Sequence, residues 1–562
     1  MEKIWLQHYP EGVPTDINPD VYRSVVDMFE QTVEQFRKNP ALYNMGSSMT
    51  YGELDKKTHN FAAYLQNKLH LQKGDRLAVM LPNSMQYFVA MLGALRAGLV
   101  VVNVNPLYTA RELEHQLIDA EVKTIVVLEN FVHTIEQILP KTPLEHIIIS
   151  ELGDMFSSLK SGIINFAVKK LKKMVPAYKI DKPIYLRSAI KKGRHYKLNP
   201  VEIYGDDIAF LQYTGGTTGV SKGAMLTHRN IIANVEQAYA WMSSGGNLEP
   251  GKEIAITALP LYHIFSLMAN CFVFMKIGVY NILITNPKNI GTFLKEIGKH
   301  KFTVITGVNT LFKAMMRHKR FSEIDFSHLK ISLGGGMAVH ENVAKLWKQK
   351  TGNVLLEGYG LTETSPVVCC NPLNLEEYSG NIGFPIPSTE IKVVDDDYNE
   401  VPFGEAGELC VYGPQVMKGY WNKPDETANM IMHDGWLRTG DVVKVDEKGR
   451  VKIVDRKKDM LVVSGFNVYP SEIEEVIGEH PDVLEVAVIG VTTERTGEYI
   501  KAFVVRKDPL LSREALMAYC IEHLTTYKMP KKIEFRDELP KSNVGKILRR
   551  VLREEEESKV RS

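Results

Sequence analysis

The sequence predicts an α/β protein: a large N-terminal domain of mostly α/β layers with a β-rich subdomain, then a small mobile α+β C-terminal domain. Three observations carry this. Short β-rich runs alternate with helical patterns up to about residue 388, the alternation that builds largely parallel sheet. Two of those runs end in glycine clusters, Gly215-Gly216 and Gly334-Gly335-Gly336, and open α/β sheets bind ligands beyond the carboxyl ends of their strands. The 562 residues are also about twice what one hydrophobic core can serve.

Taken in order, strands are expected at 76–81, 100–104, 124–128, 208–213, 302–306 and 354–356. Helical patterns at 84–96, 110–120 and 228–241 lie among them. After 388 the pattern changes: strands at 390–394 and 407–412 are joined by a turn-rich stretch with no helix, so 388–455 reads as a β-rich subdomain. Strands near 451–454 and 459–463 precede a helix opening at Ser471, with Glu474 at capping-box spacing. Strands at 486–491 and 500–505 and a helix from about Arg513 complete the small domain, 459–562. Five consecutive charges, Asp455-Arg456-Lys457-Lys458-Asp459, separate it from the large domain, 1–455. Such a run of charges is usually a solvated turn; the sharper reading is a hinge at 456–458.

Composition narrows the function classes. Apolar residues at 44% and charged residues at 24% are those of an ordinary globular chain, so disorder is not favoured. The formal net charge of +1 argues against nucleic acid as the partner. Five cysteines without CxxC spacing suit neither a disulfide framework nor a zinc site, and a reducing cytoplasm is the simplest setting. The N-terminus lacks the basic and apolar regions of a signal peptide. The strongest apolar run, 264–275, is too short to span a bilayer, so any membrane contact is expected to be peripheral.

The most informative stretch is Tyr213-Thr214-Gly215-Gly216-Thr217-Thr218-Gly219-Val220-Ser221-Lys222-Gly223, read as following a strand and preceding the helix at 228–241. Glycines let backbone N–H groups approach phosphate oxygens. Thr214, Thr217, Thr218 and Ser221 add hydroxyl donors, and Lys222 adds positive charge. The spacing is not GxxxxGK[ST], so this is not the usual ATPase loop.

This loop resembles that of the adenylate-forming superfamily, which includes acyl-CoA synthetases, peptide-synthetase adenylation domains and luciferases. LPLYHIF at 259–265, EGYGLTE at 357–363, GWLRTGD at 435–441 and PKSNVGK at 540–546 are similar to its other motifs, in the same order. VDRKKDMLVVSGFNVYPSEIE and LPKSNVGKILRR most resemble the bacterial long-chain fatty acid–CoA ligases. The resemblance implies two steps: ATP and a fatty acid give an acyl-adenylate and pyrophosphate, then CoA takes the acyl group and AMP leaves. ATP, Mg²⁺ and CoA are the implied cofactor and co-substrates.

By resemblance, Lys546 bridges the attacking carboxylate and the α-phosphate, Glu363 holds Mg²⁺, and Thr362 bonds the adenylate phosphate. Gly334, Gly335, Gly336, Glu357, Gly358, Tyr359 and Gly360 form the adenine side of the nucleotide pocket. Asp441 and Arg456 hold the ribose, and His263 stands beside the acyl carboxylate. Tyr262, Phe265, Leu267 and Met268 resemble acyl-tunnel lining. Lys458 matches the hinge position, and Gly465 matches a glycine that lets the pantetheine arm pass close to backbone. Some relatives carry a gating tryptophan after the histidine; this chain has none before Cys271.

One feature falls outside these motifs. Between 155 and 200 stand twelve Lys/Arg against one acid, Asp181. Phe156, Leu159, Ile163, Ala167, Leu171 and Met174 fall at helical spacing, with Lys160, Lys169, Lys170, Lys172 and Lys173 among them. Such a helix either packs on the body with its lysines in water or lies transiently on an anionic membrane. The expected enzyme is cytoplasmic, with contact at the inner membrane face or none, and a homodimer is compatible with the sequence. Alternatives are a medium-chain or aryl acid–CoA ligase, an adenylating enzyme serving a carrier protein, and a nucleotide-dependent lipid-binding module without turnover.

Overall fold

In the computed structural model, which describes residues 1–214, 221–463, 466–493, 497–542 and 545–561, the strongly apolar runs become buried parallel strands. Val100–Asn103 and Thr124–Leu128 have every residue buried, which fits strands covered on both faces. They belong to a seven-stranded sheet. In it Arg76–Met80 pairs in parallel with both of them, and Ile208–Thr214 continues the parallel array. A nine-stranded sheet carries Ile254–Thr257, Val304–Gly307, Ile331–Gly335 and Leu355–Gly360 as successive parallel neighbours.

Helix Met85–Arg96 is buried at all twelve positions, as expected of a helix that is apolar all round. Its core cluster draws on both large sheets. Polar bonds lock it in register: the Asn83 amide donates to the carbonyls of Thr257 and Leu259, and the Tyr87 hydroxyl donates to that of Leu261. The connection out of Ile254–Thr257 is thereby fixed, and the candidate site begins there.

The fold corrects one local reading. Between the glycine-rich loop and helix His228–Ser243 lies a further strand, Lys222–Thr227, antiparallel to Ile208–Thr214, with Thr214 and Lys222 as cross-strand partners. Lys222 therefore stands on a strand at the hairpin's end and not in the loop, while the helix opens at His228, as the sequence predicts. It takes its cap at Thr227, paired reciprocally with Asn230.

The β-rich subdomain is a four-stranded antiparallel sheet running from Glu390–Val394 through Ala406–Tyr412 and Leu437–Val445 to Val451–Arg456. The small domain follows. Strands Val483–Thr493 and Gly497–Arg506 pair antiparallel, and Lys532–Arg536 joins in parallel. Helices Pro470–Glu479, Arg513–His523 and Arg549–Arg561 accompany them.

The expected capping box at Ser471 is absent. The helix begins at Pro470, with Tyr469 as a cap that makes no side-chain bond. Both box residues are engaged elsewhere. The Ser471 N–H donates to Asp455, and Glu474 accepts from the Val488 N–H and pairs with Arg549 at 2.5 Å. Arg549 also reaches Asp455 and Asp459, so one guanidinium ties the carboxylates on either side of 456–458.

Candidate active site

The two domains enclose a cleft of about 2720 Å³, floored by the carboxyl ends of the nine-stranded sheet. The end of Ile331–Gly335 and the turn after it supply Gly334 and Gly336. Gly336 sits at φ +74°, a left-handed conformation suited to glycine, and a Cβ on Gly334 would come within 2.6 Å of Val339. Glu357 holds this turn: its carboxylate accepts from the Val339 N–H at 3.0 Å, and burial pushes its pKa up to about 7.

Tyr359, at the end of Leu355–Gly360, donates its hydroxyl to Asp441 at 2.6 Å. The other Asp441 oxygen pairs with Arg456 at 2.9 Å, and the two residues face each other across the β-rich sheet. Burial and the Asp441 carboxylate hold the Tyr359 phenol well above its ordinary pKa. Asp441 is 3% exposed, so its charge is held by two fixed donors with further lone pairs left to accept.

Glu363 follows on the short helix Thr362–Thr364 and is 7% exposed. One of its oxygens accepts from Tyr420 at 2.7 Å. Lys222 stands 5.3 Å from the centre of the Tyr420 ring and pairs with Glu426. Tyr420 and Glu426 carry no motif signal: each partner lies far away in sequence.

His263 caps the short helix Ile264–Ser266, its Nδ1 accepting from the Phe265 N–H at 3.4 Å. An accepting Nδ1 leaves Nε2–H as the donor. Burial, then the charge of Lys546, lowers the His263 pKa to about 4, so the ring is neutral near pH 7. Beyond it runs a π-helical segment, Leu267–Val273. Phe265, Met268, Ala269 and Val273 line the cleft here, as do Ala238, Met242 and Tyr262. Leu267 does not line the cleft; it is fully buried in the core. Gly335 is likewise off the wall, where a Cβ would meet Gly358 backbone and the Phe265 ring.

Lys546 enters from the small domain on a turn closed by the Ser542 and Gly545 bonds. Gly545 is required twice over: its φ is +83°, and a Cβ would lie 2.8 Å from the Thr310 hydroxyl of the large domain. Crowding by the cleft walls, then the Arg456 charge, brings the Lys546 pKa down to about 8, although the side chain remains open to solvent. Lys458 is also lowered to about 8, chiefly by burial. The cleft thus gathers Thr214, Lys222, Tyr262, His263, Phe265, Met268, Gly334, Gly336, Glu357, Gly358, Tyr359, Gly360, Thr362, Glu363, Asp441, Arg456, Lys458 and Lys546. Gly215, Gly216, Thr217, Thr218, Gly219 and Gly465 lie outside the described residues.

Similarity to known proteins agrees with this geometry. Residues 29–421 match the AMP-binding enzyme family and 472–546 match the AMP-binding enzyme C-terminal domain. A long-chain-fatty-acid–CoA ligase of Escherichia coli O6:H1 is 56% identical over 560 residues, 100% of this chain and 99% of that protein. One from Yersinia pestis is 53% identical over 99% of this chain and 98% of its own. Among solved structures, ATP-bound MatB from Rhodopseudomonas palustris superposes with a TM-score of 0.80 at 30% identity, covering 94% of this chain and 98% of that one. The chain belongs to the AMP-binding enzyme family, within the adenylate-forming superfamily.

Proposed function

We infer that the protein is a long-chain fatty acid–CoA ligase, converting a fatty acid, ATP and CoA to acyl-CoA, AMP and pyrophosphate. Full-length identity to long-chain-fatty-acid–CoA ligases supports this. The observation that carries the chemistry is the convergence of Lys546 with Asp441, Arg456 and His263 in one cleft. A carboxylate oxygen attacks the α-phosphorus, and the bond from that phosphorus to the bridging oxygen breaks as pyrophosphate leaves. The two reactants repel each other, so catalysis is mainly positioning and charge neutralisation. Lys546, a flexible point charge, bridges the carboxylate and the α-phosphate. His263, neutral, offers Nε2–H to the acyl carboxylate. Thr362 bonds the phosphate, Tyr359 and the glycine turn flank the adenine, and Asp441 accepts from the ribose.

Glu363 fits a magnesium ligand. Mg²⁺ prefers one or two carboxylates, with phosphate oxygens and water completing its shell, and Glu363 has one oxygen held by Tyr420 and one remaining. When bound, the ion supplies neutralisation of phosphate charge. The apolar arm lined by Met268, Ala269, Val273 and Met242 suits an alkyl chain. In the second step the small domain reorients about 456–458 and the CoA sulfur, having lost its proton, attacks the acyl carbonyl. The carbon–oxygen bond to AMP then breaks. The enzyme works in the cytoplasm, with contact at the inner face of the membrane; no helix among the described residues is long and apolar enough to cross one.

The test is an assay of purified protein with ATP, magnesium, CoA and fatty acids of increasing length. AMP and acyl-CoA should appear in equal amounts, with long chains preferred. AMP formation without CoA dependence, or a preference for aryl acids, would contradict the reading.

A further inference from the structure

The first helical stretch of the insert at 155–200 folds with its polarity inverted. Helix Ser158–Phe166 continues into a π-helical turn, Ala167–Leu171. A helix on a soluble protein normally turns its apolar stripe to the core and its polar face to water. Here polar side chains face the body. Ser158 and Ser161 accept from Arg187, the Asn165 side chain bonds the Gly153 N–H and Glu151, and Lys169 pairs with both Glu129 and Glu151. Lys160 donates to the Met45 carbonyl and the Ser47 hydroxyl. Phe156 and Val168 are the apolar anchors.

The outward face is the apolar one. Leu159, Ile163 and Phe166, spaced four and three apart, are 79%, 61% and 59% exposed, and Leu171 and Met174 beyond them are 71% and 54% exposed. Gly162, between Leu159 and Ile163, has nothing within 4 Å of where a Cβ would stand. Lys170, Lys172 and Lys173 adjoin this ridge, are exposed, and have no ion-pair partner among the described residues. Five large apolar side chains held away from the core by a fixed polar underside are not accounted for by packing. Free cations beside them say what covers them: an apolar layer behind a negatively charged surface.

We propose that the ridge Leu159, Ile163, Phe166, Leu171 and Met174, with Lys170, Lys172 and Lys173, is a docking surface for an anionic lipid bilayer. The apolar side chains enter the acyl boundary while the lysines meet lipid phosphates. The benefit to the enzyme rests on the ligase reading, since long-chain fatty acids partition into bilayers; the docking itself does not.

Full-length protein, without substrates, is floated with vesicles of phosphatidylglycerol and phosphatidylcholine, and with phosphatidylcholine alone. Binding is expected only to the anionic vesicles, weakened by salt because exposed charges are screened. Both L159S/I163S/F166S and K170Q/K172Q/K173Q should lower the bound fraction about tenfold or more. None of these six positions lines the cleft, so turnover of a short, water-soluble acid should be unchanged and reports the fold. Binding by both variants equal to wild type, or equal binding to neutral vesicles, overturns the proposal. Concentration-dependent dimerisation that the serine variant abolishes, without vesicle binding, also overturns it and assigns the face to a second copy. A protein that binds vesicles yet makes no AMP would sink the ligase reading alone.

Discussion

Lys546 shows how a single residue's surroundings set its chemistry. A free lysine titrates at about 10.4; the cleft walls and Arg456 bring this one down to about 8. In the proposed mechanism it acts as a cation, so adenylation should be full below that value and fall as pH rises through it, with a one-proton slope. Lys546→Arg, which stays charged, should lower the rate but flatten that limb; an unchanged limb in the variant would assign it to another group. Lys222 makes a second case. Glu426 holds its ammonium and so competes with phosphate oxygens for it. Glu426→Gln should therefore lower the KM for ATP severalfold with little change in kcat; a raised KM would show that Glu426 assists binding. Lys546, Glu363 and Asp441 are legible in the sequence because each sits in a recognisable motif. Tyr420 and Glu426 are not, because their bonds to Glu363 and Lys222 span 57 and 204 residues.

Among the elements, those with a plain strand pattern are the readable ones: the apolar run at 124–128 and the alternating Glu-Ile-Lys-Val-Val at 390–394 match Thr124–Leu128 and Glu390–Val394 residue for residue. Two local signals mislead, for the same reason. Lys222–Thr227 opens with Lys-Gly, and its pairing with Ile208–Thr214 is a cross-strand fact that no local pattern expresses. The Ser471/Glu474 spacing is that of a capping box, but Asp455, Val488 and Arg549 offer those residues stronger, charge-assisted partners. Tertiary contacts override the local preference. That same network clamps both sides of 456–458, and the joint between them is a short 3₁₀ turn, Lys457–Asp459. Lys458→Pro fixes φ there and removes an N–H. Thioester formation should slow by about tenfold or more, while adenylation is spared, because a hinge limits only the step that needs its dihedral change. Intact thioester formation in stopped-flow measurements would remove the hinge assignment.

At the scale of the whole molecule, the cleft belongs to neither domain alone. The nine-stranded sheet brings the glycine turn, Tyr359 and Glu363, the β-rich sheet brings Asp441 and Arg456, and the small domain delivers Lys546. Gly545 lies against Thr310, and Lys313 donates to the Leu484 carbonyl at 2.6 Å, so these contacts between domains accompany the arrangement with Lys546 inside. If that arrangement serves only the first step, removing the lysine must separate the two half-reactions. The direct test is Lys546→Ala, assayed for fatty-acid-dependent exchange of pyrophosphate into ATP and, separately, for thioester formation from supplied acyl-adenylate and CoA. Exchange should fall by about 10²–10³-fold, the loss of one transition-state donor, with thioester formation nearly unchanged; equal losses in both would contradict the account.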